Sequence, residues 1–164
     1  MLRNKTPAPD FALRDASGIV QSLSDLRGEG ILLLSFFRGA YCPSAQRDLA
    51  AYADVYSRIT ALGAAMAAVS VDTPHDLRHL RDRLVLPFPL LSDSNFAVSR
   101  LYEIYESDET DEGPQPHGEP AVYIIDSDGN IAYHQIQTGP KGSANPAEMA
   151  LMLLFMQGNQ GRYW

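Results

Sequence analysis

The chain has 164 residues, is 45% hydrophobic and 20% charged, and carries a formal net charge of −7. This is the size and balance of one globular domain with a substantial core, and the acidity argues against nucleic-acid or anionic-membrane partners, which need a basic face. No apolar run approaches a bilayer span, the N-terminal segment lacks a signal-peptide pattern and the single cysteine cannot close an intramolecular disulfide, so a cytoplasmic location is expected.

Taken in chain order, Phe11 and Leu13 share one face of a short strand, and Ser17-Gly18 turns the chain toward Ile19 and Val20. Ser22 to Leu26 has the pattern of a single helical turn leading to Gly28 and Gly30. Residues 31–37, ILLLSFF, are apolar on both faces, as in a central strand covered on two sides. Pro43 suits the first position of a helix, where its missing N–H is not needed. Leu49, Tyr52, Val55, Ile59 and Leu62 follow at spacings of three and four, and Gly63 ends the segment.

Residues 64–71, AAMAAVSV, read as a second buried strand, and Asp72-Thr73-Pro74 starts a helix carrying Leu77, Leu80 and Leu84. Asp93 or Ser94 is placed to cap a short helix bearing Phe96, Val98 and Leu101. Residues 106–119, ESDETDEGPQPHGE, read as a solvated acidic loop inserted in the domain, without the spacing of a calcium loop. Residues 121–137 form a hairpin turning at Asp128-Gly129, and Pro146 to Met156 is a closing amphipathic helix with Met149, Met152, Leu153 and Met156 inward. This order predicts one α/β domain over residues 1–164, with a mixed central sheet and helices on both faces. Gly28-Glu29-Gly30 lacks the spacing of a phosphate loop, and His75, His79, His117 and His134 are scattered, so no cofactor or metal is expected.

The predicted elements put Cys42 between a strand end and the N-terminus of the longest helix. There the helix dipole and the unpaired first-turn N–H groups favour a thiolate, which is the nucleophilic form. Arg38 would add positive charge if the strand end folds back toward the sulfur. The competing reading makes Cys42 a small buried apolar residue.

The stretch LLLSFFRGAYCPSAQRDL resembles the active-site segment of the alkyl hydroperoxide reductase/thiol-specific antioxidant family, the peroxiredoxin-like proteins of thioredoxin fold. PAPDFALRDASGIVQSLSDLRGEGILLLSFF is similar to that family's N-terminal hairpin and central strand, AVSVDTPHDLRHLRDRLVLPFPLLSD to its strand–helix–strand segment, and EPAVYIIDSDGNIAYHQI to its late hairpin. The resemblance implies a thioredoxin-like three-layer α/β fold with a mixed sheet and an N-terminal β-hairpin extension. It also implies that Cys42 is the attacking cysteine with Arg38 as its cation. Gly39, Tyr41, Pro43, Glu119 and Pro120 would then surround the substrate, Pro120 as a cis-proline facing Cys42.

Three positions depart from the family pattern. Ala45 replaces a second cysteine, Gly39 replaces a Thr or Ser, and the region expected to carry an arginine before the late strand reads HGEPAVY, with Glu119 bringing the opposite charge. Arg38 and Arg100 are the candidates to compensate. Two functions follow. One is a one-cysteine peroxidase that reduces hydroperoxides through a Cys42 sulfenic acid, resolved by an external thiol such as glutathione or a thioredoxin-like protein. The other is a non-catalytic or monothiol binding module that forms mixed disulfides. Family members often dimerise, so a homodimer is a further expectation, with Tyr41, the 106–119 loop or the tail ending in Tyr163-Trp164 as contributors.

Overall fold

The computed structural model describes residues 1–108, 110, 113, 115–139 and 142–159. The chain runs through β1 (Ala12–Asp15), β2 (Val20–Ser22), α1 (Leu23–Arg27), β3 (Ile31–Phe36), α2 (Pro43–Ala61), β4 (Ala64–Ser70), α3 (Pro74–Leu84) and β5 (Leu90–Ser92). It continues through α4 (Ala97–Leu101), β6 (Glu106–Ser107), β7 (His117–Gly118), β8 (Ala121–Ile125), β9 (Ile131–Ile136) and α5 (Pro146–Gly158).

Period-two alternation on β3 explains the layering. Ile31 and Leu33 enter an apolar cluster with α2, α3 and α5, while Leu32, Leu34 and Phe36 enter a second one with α1 and α4. On β4, Met66 and Ala68 face the first cluster and Ala67 and Val69 the second; on β8, Val122 and Ile124 oppose Tyr123 and Ile125 in the same way. The seven strands lie in the order β2-β1-β5-β4-β3-β8-β9. β3 pairs parallel with β4 and antiparallel with β8, while β1 and β2 form an antiparallel hairpin joined to the edge of β5. This is the expected three-layer, mixed-sheet arrangement with an N-terminal hairpin.

Local sequence accounts for most boundaries. Ser22 and Asp25 form a reciprocal capping box on α1. Thr73 caps α3, and Asn145 caps α5 through Ala147 and Glu148 N–H. The Asp93 carboxylate accepts from Val98 and Ser99 N–H at the start of α4. Gly129, at φ 85°, makes the tight turn between β8 and β9.

Two expectations change. The 106–119 segment is not a fully solvated loop: its ends pair as β6 and β7, and His117, Gly118 and Glu119 are buried. Helix α5 is less amphipathic than expected, because Leu151, Leu154 and Phe155 are exposed on its outer face. The expected docking of Tyr163-Trp164 lies outside the described residues. Among the described residues no helix is long and apolar enough to cross a membrane.

Candidate active site

β3 ends when Phe37 N–H donates to Val69 O, and residues 38–42 turn the chain into α2. The turn is held from two sides. Ala40 N–H donates to Asp72 Oδ2 at 2.9 Å, and the Gln46 side chain donates to Ala40 O at 2.7 Å. Asp72 also accepts from Ser70 Oγ at 2.6 Å, and its carboxyl pKa is raised by burial, with the Ser70 and Ala40 hydrogen bonds opposing. Gly39 is sterically required: a Cβ there would sit 2.7 Å from Cε1 of the Tyr41 ring.

Cys42 is the N-cap of α2, with Pro43 as the first helical residue and no acidic side chain in the first turn. Its own side chain makes no capping bond, so the N-terminal N–H groups and the positive end of a 19-residue helix remain directed at the sulfur's surroundings. Cys42 is only 8% exposed. It is reached through a pocket of about 650 Å³ bounded by Phe36, Phe37, Leu49, Tyr52, Val122 and Ala144, with Arg38, Arg47 and Ser143 among its polar walls. This volume lies in the range of small-molecule sites. Ala45, one helical turn further along α2, is buried in the core and lines the same pocket.

Arg38 joins the sulfur to a buried charge network. Its Nε donates to Glu119 Oε2 at 2.8 Å and its Nη2 to Gly139 O at 3.3 Å, with side-chain exposures of 14% for Arg38 and 2% for Glu119. Burial works against the guanidinium charge, but Glu119 and then Cys42 outweigh it and hold the pKa above its ordinary value. Glu119 Oε1 lies 3.1 Å from His117 Nε2, and His117 Nδ1 lies 2.7 Å from Gln115 O. The Tyr41 ring meets the His117 ring edge-on with centroids 6.3 Å apart. Its buried hydroxyl has no hydrogen-bond partner among the described residues, and burial followed by the charge of Cys42 pushes its pKa up to about 12.

Of the residues expected around the substrate, Arg38, Cys42, Pro43 and Pro120 line the pocket; Gly39, Tyr41 and Glu119 do not. Gly39 shapes the turn, Tyr41 packs behind it, and Glu119 is the counter-ion of Arg38. Arg100, the other candidate cation, pairs instead with Glu106 at 2.7 Å on an exposed surface. The expected cis bond at Pro120 is absent: no described peptide bond is cis. The chain enters β8 in extended form because both sides are already engaged, Glu119 N–H on Tyr105 O and Pro120 O by Gln137 N–H. His117 and Asp72 are parts of the site that the sequence does not single out. Among the described residues, no group of three or more His, Cys, Asp or Glu side chains is arranged to hold a metal.

The AhpC/TSA family profile matches residues 5–134. The thiol-disulfide oxidoreductase ResA of Geobacillus kaustophilus is 31% identical over 133 residues, covering 80% of this chain and 67% of that protein. Peroxiredoxin 2 of Thermoplasma acidophilum is 28% identical over 141 residues, covering 80% and 67%. Among solved structures, peroxidoxin BcpB of Mycobacterium tuberculosis superposes with a TM-score of 0.80 at 20% identity, over 94% of this chain and 97% of that one. A cysteine-to-serine mutant of peroxiredoxin 6 of Arenicola marina gives a TM-score of 0.87 at 17% identity, over 98% and 76%. With the sheet order, the position of Cys42 and these likenesses in agreement, the chain belongs to the AhpC/TSA family and is a peroxiredoxin-like oxidoreductase of thioredoxin fold.

Proposed function

We propose that this protein is a one-cysteine peroxidase in which Cys42 reduces hydroperoxides, organic ones included. The observation that carries this reading is the placement of Cys42 on the wall of the pocket, at the N-terminus of α2 and beside Arg38. The Cys42 thiolate attacks one oxygen of the hydroperoxide, an S–O bond forms and the O–O bond breaks. The leaving hydroxide or alkoxide takes a proton to become water or alcohol, and Cys42 is left as a sulfenic acid. Arg38 and the first-turn N–H groups of α2 lie where charge moves from sulfur to oxygen. An apolar lining from Phe36, Leu49, Val122 and Ala144 suits the carbon chain of an organic hydroperoxide.

Ala45 leaves no second thiol in the chain, so an external thiol displaces water from the sulfenic acid and a second one releases Cys42. Glutathione or a thioredoxin-like protein fits this role, in a reducing compartment such as the cytoplasm. The alternative, a non-catalytic or monothiol module that forms mixed disulfides, lacks one docking mode, a partner's extended backbone beside Pro120, because Glu119 N–H and Pro120 O are already committed within the chain. Stopped-flow oxidation of the reduced protein by hydrogen peroxide and by an organic hydroperoxide tests the proposal. Cys42 is expected to react far faster than free cysteine; a rate equal to that of free cysteine excludes the peroxidase.

A further inference from the structure

We propose that His117 and Glu119 hold one proton between them and act as a positioning pair that leaves the charge of Arg38 to the Cys42 sulfur. His117 Nδ1 lies 2.7 Å from Gln115 O, a backbone carbonyl that can only accept, so Nδ1 carries a hydrogen. A neutral imidazole has one N–H, and its other nitrogen would then present a lone pair to Glu119 Oε1 at 3.1 Å. Two lone pairs at that distance repel unless a proton lies between them. With His117 1% and Glu119 2% exposed, the contact is enclosed by protein.

The charge balance follows. With the shared proton the pair is neutral, and Arg38, bonded to Glu119 Oε2, keeps its positive charge for a thiolate at Cys42. Without it, Glu119 alone neutralises Arg38, and a thiolate becomes an extra negative charge in a poorly solvated site. Neither His117 nor Glu119 lines the pocket, so the pair works through Arg38 and touches no substrate.

Other charged or titratable groups face the pair or the sulfur, among them Arg47 and Asp48 of α2 on the pocket wall. From the turn before α2 come Arg38, Cys42 and Tyr41, whose ring edge meets His117. From the end of β4 comes Asp72, bonded to Ser70 and Ala40. On β6, the strand paired with β7, Glu106 is taken by Arg100. The proposal adds to the peroxidase reading a residue pair that sets when the thiolate forms, and it rests on that reading only for what the thiolate then does.

The test is the pH profile of Cys42 alkylation by iodoacetamide, which needs no peroxide. His117→Gln can still donate to Glu119 but holds no extra proton, so alkylation at neutral pH is expected to fall about tenfold. Glu119→Gln, which replaces one member of a pair that is already neutral, is expected to leave alkylation at neutral pH within about twofold of the parent protein. The double variant is expected to recover most of the His117→Gln loss. A purely structural contact would make the double variant at least as slow as either single one, and that result, or an unchanged profile in His117→Gln, overturns the proposal. If His117→Gln does not fold, Glu119→Gln decides: alkylation within about twofold of the parent supports the shared proton, and a change of about tenfold in either direction, a gain above all, refutes it. Oxidation by hydrogen peroxide, followed in parallel, separates the two claims, since its failure with the alkylation pattern intact would sink only the peroxidase reading.

Discussion

Replacing Arg38 by methionine keeps the aliphatic stem and removes the charge, so it probes the buried pair directly. Glu119, at 2% exposure, would lose the donor to Oε2 and keep only His117 at Oε1. Breaking one side of a buried ion pair costs about 3–5 kcal/mol, because the remaining charge is left uncompensated. The proton shared with His117 offsets part of the charge left on Glu119, which places this case near the lower end, about 3 kcal/mol. If Glu119 is also changed to glutamine, no charge remains to be stranded and the cost falls to about 1 kcal/mol, that of a neutral hydrogen bond. The double variant is thus expected to be about 2 kcal/mol more stable than Arg38→Met alone. Urea unfolding with Cys42 kept reduced measures both. A midpoint for Arg38→Met equal to that of the double variant, or to that of the parent protein, would refute the reasoning.

Three other substitutions address the turn that carries Cys42. Gly39→Thr restores the family's usual residue type but drives a Cβ into the Tyr41 ring, and a loss of about 1–3 kcal/mol is expected in urea unfolding, partly relieved by a simultaneous Tyr41→Ala. Asp72→Ala strips Ala40 N–H of its acceptor, for an expected loss of about 1–3 kcal/mol and a slower Cys42 reaction with hydroperoxide in stopped flow. Tyr41→Phe removes an unpartnered buried hydroxyl and is expected to be neutral or stabilising by up to about 1 kcal/mol at neutral pH. The Tyr41 pKa lies at about 12 in the folded chain against an ordinary 10.0. Below pH 10 the hydroxyl is protonated in both folded and unfolded chains and stability is unaffected; as pH rises from 10 through the folded value the unfolded chain ionises first and stability is lost. Tyr41→Phe should accordingly reduce the loss of stability between neutral pH and pH 12, read from melting temperatures across that range.

How far the sequence could be read follows from where each signal resides. The two-sided apolar run of β3, the three-and-four spacing along α2 and the Asp128-Gly129 turn are local patterns, and the structure realises them. Cys42 at the head of α2 is legible for the same reason, since Pro43 marks the start of the helix. Glu119 stands where the family carries an arginine, and its role as counter-ion is not legible in the sequence because its partner Arg38 lies 81 positions away and the pairing exists only once β8 lies beside β3. His117 was hidden in an acidic, proline-containing run whose composition indicates solvent. A signal was nevertheless present: His117 and Glu119 are two apart, hence on one side of an extended segment, and a buried arginine beside a cysteine requires a counter-charge. In the sequence Asp72 reads as part of a helix start. Thr73 does the capping, leaving the Asp72 carboxylate to hold the active-site turn.

The central claim is that one sulfur begins the reaction and a separate molecule must finish it. Intact-protein mass spectrometry after a single equivalent of hydroperoxide tests this most directly. The account predicts one added oxygen, located on Cys42 and absent in Cys42→Ser, that persists until an external thiol is supplied and then gives way to a mixed disulfide before the free thiol returns. A reduced protein that consumes the peroxide without gaining oxygen at Cys42, or that returns to its starting mass with no thiol present, would contradict it.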